Sequence, residues 1–468
     1  MYGSSGHRNG VGGLGDWVPK LRGRSGPVYR AIVDALGDDI AAGRIAGGER
    51  LPPQRQLATA LGIDFTTVTR AYAEAQRQGL VEAQVGRGTF VRRRAPPLPS
   101  GRIDLAMNLP PRPADPRLAR RLWRSMTELG DERGIDLLMR YQAPGGTAED
   151  RAAGASFLAP RLPGLDPARV LVAPGAQGAL AALLPLLAAP GDTVLADELT
   201  YPGFRALAAR LGLVPAGVPA DEEGMDPVAL DALAERTGAK LLYLNPTLAN
   251  PTTATIGAER RAALVEVARR RSLAIVEDDA YGALPLSSPP PFAALAPERT
   301  WHVAGLAKCL SPALRIAYCV APDERAADRL AGAIRAVATM ASPLAAALAT
   351  RWIGDGTAAA MLEAIRAETA ARHALTVSML PPALLRTDPA AFHGWLSLPP
   401  RWQRAEFLVR LDGVAIGAVP SDAFALGPAP EALRLGFGVA PDRERLTESL
   451  ARLAALLAEE QAEAPLVV

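Results

Sequence analysis

Residues 275–281 read Ile275-Val276-Glu277-Asp278-Asp279-Ala280-Tyr281, and residues 308–315 read Lys308-Cys309-Leu310-Ser311-Pro312-Ala313-Leu314-Arg315. Each stretch includes or follows an apolar run of the kind that forms a buried strand. An acid at a strand end, a lysine on a loop and an arginine before the next strand are the parts needed to hold pyridoxal phosphate. The lysine can form a Schiff base, the acid can keep the pyridine nitrogen protonated, and the arginine can bind phosphate.

Apolar runs alternate with helical patterns on both sides of these stretches. The runs predict buried strands at Val170–Ala173, Thr193–Ala196, Lys240–Leu244, Leu273–Val276, Trp301–Ala304 and Ile316–Val320. The intervening patterns predict helices that include Gly178–Leu187 and Glu259–Arg271. This order indicates a largely parallel sheet covered on both faces. From about Pro322 the pattern predicts helices and then a smaller C-terminal α/β part ending in a helix over Asp442–Glu463.

The N-terminal part has a different pattern. Ile32, Leu36 and Ile40 recur at four-residue spacing, which indicates an amphipathic helix from Pro27. Further helices are predicted over Gln54–Leu61 and about Asp64–Gln78, with Asp64 as the cap of the latter. Apolar residues then flank Gly86-Arg87-Gly88, which predicts a hairpin. Three helices and a glycine-tipped hairpin make a winged helix-turn-helix, whose third helix enters the major groove of DNA.

Composition supports two domains with different partners. The 468 residues are 49% hydrophobic and 21% charged, which is typical of a globular protein. Residues 1–95 hold 14 basic and 8 acidic side chains, whereas the remainder holds 37 and 41, so a basic head precedes a mildly acidic body. No apolar run reaches the roughly 18 residues of a membrane span, and no secretory signal is visible. Two cysteines are too few for a disulfide framework, which is typical of a protein in a reducing cytosol. Together with the lack of a long apolar run, this predicts a cytoplasmic protein without a membrane partner.

The predicted boundaries follow from these patterns. Residues 1–26 read as a flexible arm, 27–92 as the winged helix, and 93–103 as a basic, proline-rich linker. Residues 104–468 read as the effector and dimerisation domain.

Residues 27–92 closely resemble the GntR family of bacterial regulators. The resemblance lies in the run 44–58 (RIAGGERLPPQRQLA), in Thr66-Thr67-Val68-Thr69-Arg70-Ala71-Tyr72 and in 86–91 (GRGTFV). It implies that the DNA-facing residues are Arg55, Thr66, Thr67 and Arg70, with Arg87 and Gly88 at the wing. Phe65 departs from the family, which often has a basic residue there. It is expected either to pack under the helix or to touch a thymine methyl group.

Residues from about 104 onward resemble fold type I aminotransferases, and the two modules in this order resemble the MocR subfamily of GntR regulators. The expected fold is thus an N-terminal winged helix joined to a large, mostly parallel α/β domain and a smaller C-terminal α/β domain. The resemblance implies a homodimer that binds a double-stranded DNA operator and a small amino-compound effector. It implies the following roles: Lys308 for the Schiff base and catalysis; Asp278 for the pyridine nitrogen; Tyr281 and Asn250 for the ring hydroxyl; Gly175, Ala176, Gln177 and Arg315 for phosphate; Tyr201 for ring stacking; Tyr141 for the partner subunit's phosphate; and Arg434 for an effector carboxylate.

One departure lies just before the lysine. Related proteins usually carry serines there, one of them a phosphate ligand, whereas this chain has Gly305-Leu306-Ala307. Loss of one hydrogen bond to a charged group is expected to weaken phosphate binding by about 1.5–3 kcal/mol.

The two signatures together predict a regulator that senses an amino compound, or pyridoxal phosphate itself, through Lys308. Two alternatives remain open on sequence grounds. One is an active aminotransferase with an appended DNA-binding module, and the other is a regulator whose large domain only dimerises. The four histidines are isolated and show no metal-ligand spacing, so no metal is assigned.

Overall fold

The computed structural model describes residues 17–21, 27–42, 44–45, 48–78, 80–84, 88–91, 103–113, 115–133 and 139–459. The chain divides into two compact units, Met1–Ser100 and Gly101–Val468.

In the described part of the first unit, three helices are followed by a two-stranded antiparallel hairpin. The helices are α1 (Val28–Ala41), α2 (Gln54–Leu61) and α3 (Phe65–Arg77), and the strands are β1 (Val81–Gln84) and β2 (Gly88–Val91). Asp64 caps α3 as predicted, because its Oδ1 accepts a hydrogen bond of 2.7 Å from the amide of Thr66. Ile32, Leu36, Val68 and Tyr72 lie in one buried core. The predicted winged helix-turn-helix is confirmed.

Part of the predicted arm packs against this unit. Trp17 and Leu21 contact its hydrophobic core, and the indole Nε1 of Trp17 donates to Asp39 Oδ2 at 2.7 Å. Residues 17–21 are therefore attached to the domain, and the prediction of a flexible arm over 1–26 is wrong for them. Residues 1–16 and 22–26 lie outside the described residues.

The helices and strands that follow belong to the described residues of the second unit. Its helices are α4 (Pro116–Arg133), α5 (Ala148–Leu158), α6 (Gly175–Leu187), α7 (Pro202–Arg210), α8 (Pro227–Thr237), α9 (Ala258–Arg270), α10 (Phe292–Leu295), α11 (Glu324–Ala338), α12 (Pro343–Gly354), α13 (Thr357–Met379), α14 (Arg404–Gly413) and α15 (Arg443–Ala458). Its strands are β3 (Ile103–Asp104), β4 (Val170–Ala173), β5 (Thr193–Asp197), β6 (Val214–Val218), β7 (Ala220–Asp221), β8 (Gly224–Met225), β9 (Leu241–Leu244), β10 (Ala274–Asp278), β11 (Thr300–Gly305), β12 (Ala317–Val320), β13 (Leu385–Thr387), β14 (His393–Ser397), β15 (Ile416–Gly417), β16 (Val419–Pro420) and β17 (Ala432–Gly436).

Seven strands form the central sheet in the order β4-β12-β11-β10-β9-β5-β6. All neighbouring pairs from β11 to β6 are parallel, whereas β12 runs antiparallel to both β11 and β4. The largely parallel sheet is confirmed, and separate apolar clusters pack against it. The edge strand β6 was not predicted, because Val214-Pro215-Ala216-Gly217-Val218 is mostly part-exposed and carries a proline and a glycine.

The smaller C-terminal part contains an antiparallel sheet in the order β13-β14-β17-β16. Its core includes Phe407, Leu433 and Leu450. The final helix ends at Ala458, before the predicted end at Glu463, and the described residues end at 459. Ile103, which the prediction placed in the linker, is buried and pairs with Ile416. Among the described residues, no helix is both long and apolar enough to cross a bilayer.

Candidate functional site

Asp278 is the last residue of the central strand β10, where the backbone places its side chain at the carboxyl edge of the parallel sheet. Its Oδ2 accepts a hydrogen bond of 2.8 Å from the hydroxyl of Tyr243. Its Oδ1 is buried and has no hydrogen-bond partner among the described residues. Burial raises the pKa of Asp278 to about 6, while Tyr243 opposes that change. This carboxylate therefore presents one open oxygen to a cationic partner.

The neighbouring Asp279 has a different environment. Its Oδ2 lies 3.0 Å from Nε of Arg161, and a side chain built on Gly282 would collide with the same carboxylate. Asp278 instead interacts electrostatically with Lys308 and Tyr201. Asp279 is thus engaged by Arg161, and Asp278, the residue predicted to be the partner of a cofactor ring, keeps one oxygen without a hydrogen bond among the described residues.

Lys308 lies on the turn that follows strand β11. Its Nζ donates to the backbone carbonyl of Asn108. Burial, assisted by Arg434 and opposed by Asp278, lowers the pKa of Lys308 to about 8. A lowered pKa increases the fraction of neutral amine, which is the form that attacks an aldehyde.

The predicted phosphate residues meet at the start of α6. The helix begins at Gly175, three residues earlier than predicted, and Gly175 has a φ of +77°. A Cβ built on Gly175 would lie 3.5 Å from the guanidinium carbon of Arg315, so loop and arginine are adjacent. The side-chain amide of Gln177 donates to the carbonyl of Gly203 at 3.0 Å. Helix-start amides beside a guanidinium form an anion site.

The departure at Gly305 also lies at this place. A Cβ built on Gly305 would lie 3.3 Å from the Cβ of Ala176. The two residues border the same loop, and neither carries a hydroxyl. The hydroxyl that related proteins usually supply just before the lysine is therefore provided by neither Gly305 nor Ala176.

Two of the tyrosines predicted to contact the cofactor have different environments. Tyr201 precedes α7, is part-buried and packs over Gly203, where an added Cβ would fall 2.4 Å from its ring. Burial raises the pKa of Tyr201, and Asp278 adds to that while Arg315 opposes it, so the three side chains share one electrostatic environment. Tyr141 is 85% exposed in the isolated chain, which leaves its hydroxyl accessible to another molecule.

The predicted effector arginine lies on β17. Arg434 is buried, its Nη1 is 3.5 Å from Asn250 Oδ1, and its Nη2 donates to the carbonyl of Ala106. Its guanidinium carbon lies 5.7 Å from the ring centre of Phe424. Its Nε has no partner among the described residues. A guanidinium held in this way retains donor capacity for a carboxylate.

Sequence reasoning missed several residues that complete the site. Asn108 donates through Nδ2 to the hydroxyl of Tyr281 at 2.8 Å. Asn245 donates to the backbone carbonyl of Asp278 at 2.6 Å and accepts from the amide of Asn250 at 2.8 Å. The only signal for Tyr243 was a tyrosine within an otherwise aliphatic strand.

The predicted DNA-facing residues lie on or beside α2 and α3 of the first unit. Arg55, Thr66 and Arg70 are exposed, and Thr67 is part-exposed. Phe65 is 43% exposed at the start of α3, so the expectation that it packs under the helix is wrong. The guanidinium of Arg55 lies 5.9 Å from the ring centre of Phe65.

Further contacts orient this surface. The guanidinium of Arg70 lies 4.2 Å from the ring centre of Tyr29. The hydroxyl of Thr66 donates to Asp64, which leaves its oxygen available only as an acceptor. Gly88 opens β2 with a φ of +114°, and Arg87 lies outside the described residues.

Comparisons with known proteins match both units. The model of aminotransferase class I and II matches residues 101–453, and that of the gntR family of bacterial regulatory proteins matches residues 28–91. The uncharacterized HTH-type transcriptional regulator YdeF of Bacillus subtilis is 28% identical over 94% of this chain and 96% of its own length. The HTH-type transcriptional regulator TauR of Rhodobacter capsulatus is 30% identical over 64% of this chain and 69% of its own length.

A solved structure gives the same result for the large unit. LysN, an alpha-aminoadipate aminotransferase of Thermus thermophilus, superposes with a TM-score of 0.68 and 27% identity. The superposition covers 76% of this chain and 92% of that chain, which was solved in complex with N-(5'-phosphopyridoxyl)-L-leucine.

The residues present fit pyridoxal phosphate. The open oxygen of Asp278 suits a protonated ring nitrogen, the amine of Lys308 suits the aldehyde, and Arg315 beside Gly175 suits the phosphate. Fold and site together define a DNA-binding transcription regulator with a pyridoxal-phosphate-dependent domain. The chain belongs to the aminotransferase class I and II family and carries a GntR domain before it, and this combination is consistent with the MocR subfamily of GntR regulators.

Proposed function

We propose that the protein is a cytoplasmic homodimer whose large domain senses an amino compound, or pyridoxal phosphate itself, through Lys308 and thereby changes the DNA binding of its winged helices. The observation that carries this proposal is the set of buried Asp278, part-buried Lys308 and buried Arg434, which interact electrostatically in a chain that also has a GntR domain. When bound, the cofactor supplies an electrophilic carbon and an electron-withdrawing ring. The chain supplies binding, orientation and proton control.

The polar groups of the site suggest the chemical class of the effector. Arg434 can bind a carboxylate through two donors, and Asn250 beside it can contribute an amide. The lysine amine interacts electrostatically with Arg434 in the same site. An effector with a primary amine close to a carboxylate can engage both ends of the site. We therefore propose an amino acid or a related amino carboxylate.

The exposure of Tyr141 supports the proposal of a homodimer. Its side chain is almost fully exposed, and the resemblance gives it a role at the phosphate of a second subunit. In this proposal each site is completed by the partner subunit. Effector binding can then alter the spacing of the two winged helices, and hence their fit to paired half-sites.

The second candidate function is an active aminotransferase. It is favoured by one observation, namely that Lys308 has a pKa lowered to about 8 and can act as a general base near neutral pH. In this alternative the same site converts an amino acid into its keto acid and passes the amino group to a second keto acid. DNA binding is then an additional activity.

A spectral titration distinguishes the two functions. The cofactor-loaded protein is titrated with a panel of amino acids, without and with a second keto acid such as pyruvate that can accept the amino group. Visible absorption, release of the keto acid derived from the added amino acid, and binding to fluorescently labelled DNA from the protein's own promoter region are followed. For a sensor we expect a saturable spectral change, altered DNA affinity and no keto acid beyond one equivalent. We expect Arg434→Leu to weaken the response to carboxylate-bearing amines by at least about tenfold, because a charged hydrogen-bonded pair is lost. Continuous keto acid production without a change in DNA affinity would contradict the sensor proposal.

DNA binding provides a separate test of the proposed surface. We expect Arg55→Ala to weaken binding and to reduce the slope of log affinity against log salt by about 1, because one phosphate contact is lost. Arg236→Ala, at the end of α8 in the other unit, serves as a control of equal charge change. Equal affinities and salt slopes for the two variants would exclude Arg55 from the interface.

A further inference from the structure

Tyr243 contacts the carboxylate of Asp278, which is proposed to bind the cofactor, but Tyr243 has no role in the function proposed above. Its side chain is fully buried in β9, which is the direct neighbour of β10 in the central sheet. Its hydroxyl donates to Asp278 Oδ2 at 2.8 Å, while the other carboxylate oxygen, Oδ1, remains open. The two oxygens of Asp278 therefore have separate partners.

The position of Tyr243 is fixed by its surroundings. Its ring stacks on Phe204 of α7 with a centroid distance of 4.0 Å and an angle of 2° between the planes. Burial, together with the charge of Asp278, holds the pKa of Tyr243 well above its usual range. The phenol therefore keeps its proton and acts only as a donor to Asp278.

We propose that Tyr243 is a positioning residue that keeps Asp278 ionised and aims its free oxygen at the pyridine nitrogen, so that the ring proton stays on the nitrogen. One proton is shared between the carboxylate and the ring nitrogen. A hydrogen bond to the carboxylate lowers the proton affinity of Asp278 and leaves the proton on the ring. This inference rests on cofactor binding alone, and it is independent of the effector and of DNA.

Other titratable groups face this pair from every neighbouring element. They are Asp197 of β5, Tyr201 before α7, Asp279 and Tyr281 after β10, His302 of β11, Lys308 after β11, and Cys319 of β12. All of them are retained when only the Tyr243 hydroxyl is removed. A comparison of Tyr243→Phe with the wild type therefore isolates one hydrogen bond.

The test uses the full-length protein loaded with cofactor that carries ¹⁵N at the ring nitrogen. We expect the ¹⁵N resonance in Tyr243→Phe to move toward that of a neutral pyridine, across the neutral pH range. The ratio of molecules with the proton on the ring nitrogen to those with the proton on Asp278 should fall by about tenfold, which corresponds to about one pKa unit. Asp278→Asn should give the largest shift of the ¹⁵N resonance, because it removes the negative charge of the carboxylate. Tyr318→Phe, which alters another buried tyrosine in the same sheet, should leave the resonance unchanged.

A second variant covers the case in which Tyr243→Phe does not fold. Phe204→Leu keeps the hydroxyl but removes the stacked ring, and we expect an intermediate shift. If both variants fold and both give the wild-type ¹⁵N resonance, the inference is overturned. If Tyr243→Phe does not fold, a wild-type resonance in Phe204→Leu overturns it. Either result leaves the proposed function intact. A wild-type protein that takes up no cofactor would overturn both.

Discussion

Lys308→Ala is expected to abolish the visible absorption of the lysine-bound cofactor and the response of DNA binding to any effector. The chain has only three lysines, and Lys308 is the one whose amine lies near Asp278 and Arg434. Lys20 belongs to the other compact unit, and Lys240 is exposed before β9. Within the second unit, therefore, no other amine can replace it. We expect the loss of covalent attachment to be complete within the sensitivity of the spectrum.

The measurement combines absorption with borohydride reduction and peptide mass spectrometry. In the wild type the reduced cofactor should be found on the peptide that contains Lys308. Lys240→Ala is the matched control, and its spectrum and effector response should equal those of the wild type. DNA affinity in the absence of effector should be retained in Lys308→Ala, because the winged helix has its own core. An effector response of normal size in Lys308→Ala would exclude sensing through this lysine.

Much of the site was predictable because its parts lie in short stretches with a fixed order. Asp278 ends a strand, Lys308 follows the next strand, and Arg315 precedes β12. Such positions follow from local patterns of apolar and polar residues. The strands that carry them were predicted to within two residues at each end for the same reason.

The remaining contacts join residues that are far apart in the sequence. Asn108 meets Tyr281 across 173 residues and meets Lys308 across 200. Tyr243 meets Asp278 only because β9 and β10 are neighbours in the sheet. Periodicity reports which face of an element is buried, but it carries no information on which distant side chain lies opposite. The packing of Trp17 on the winged helix was missed for the same reason.

A second set of buried charges supports the strand that carries Asp278. Glu277 is fully buried and accepts from the backbone amides of Phe292 and Ala293 at 2.8 and 3.0 Å. It also lies 2.9 Å from Nδ1 of His302 and 3.7 Å from Nη1 of Arg261. Burial alone would raise the pKa of Glu277, but His302 and Arg261 outweigh it and hold the pKa below its usual range. The stability that Glu277 contributes is therefore present above its unfolded pKa and is lost as the pH falls through the folded value.

Glu277→Ala is expected to destabilise the large domain by about 3–5 kcal/mol, because it leaves the buried imidazole of His302 and two backbone amides without their acceptor and removes the counter-charge beside Arg261. The melting temperature of that domain, measured by calorimetry, should fall by roughly 5 °C or more. Glu298→Ala is the control, since Glu298 also contacts two arginines, Arg269 and Arg299, but its side chain is 48% exposed. An exposed pair contributes at most about 1 kcal/mol, so this variant should melt close to the wild type. Equal melting temperatures for the two variants would show that the buried cluster adds no more stability than a surface ion pair.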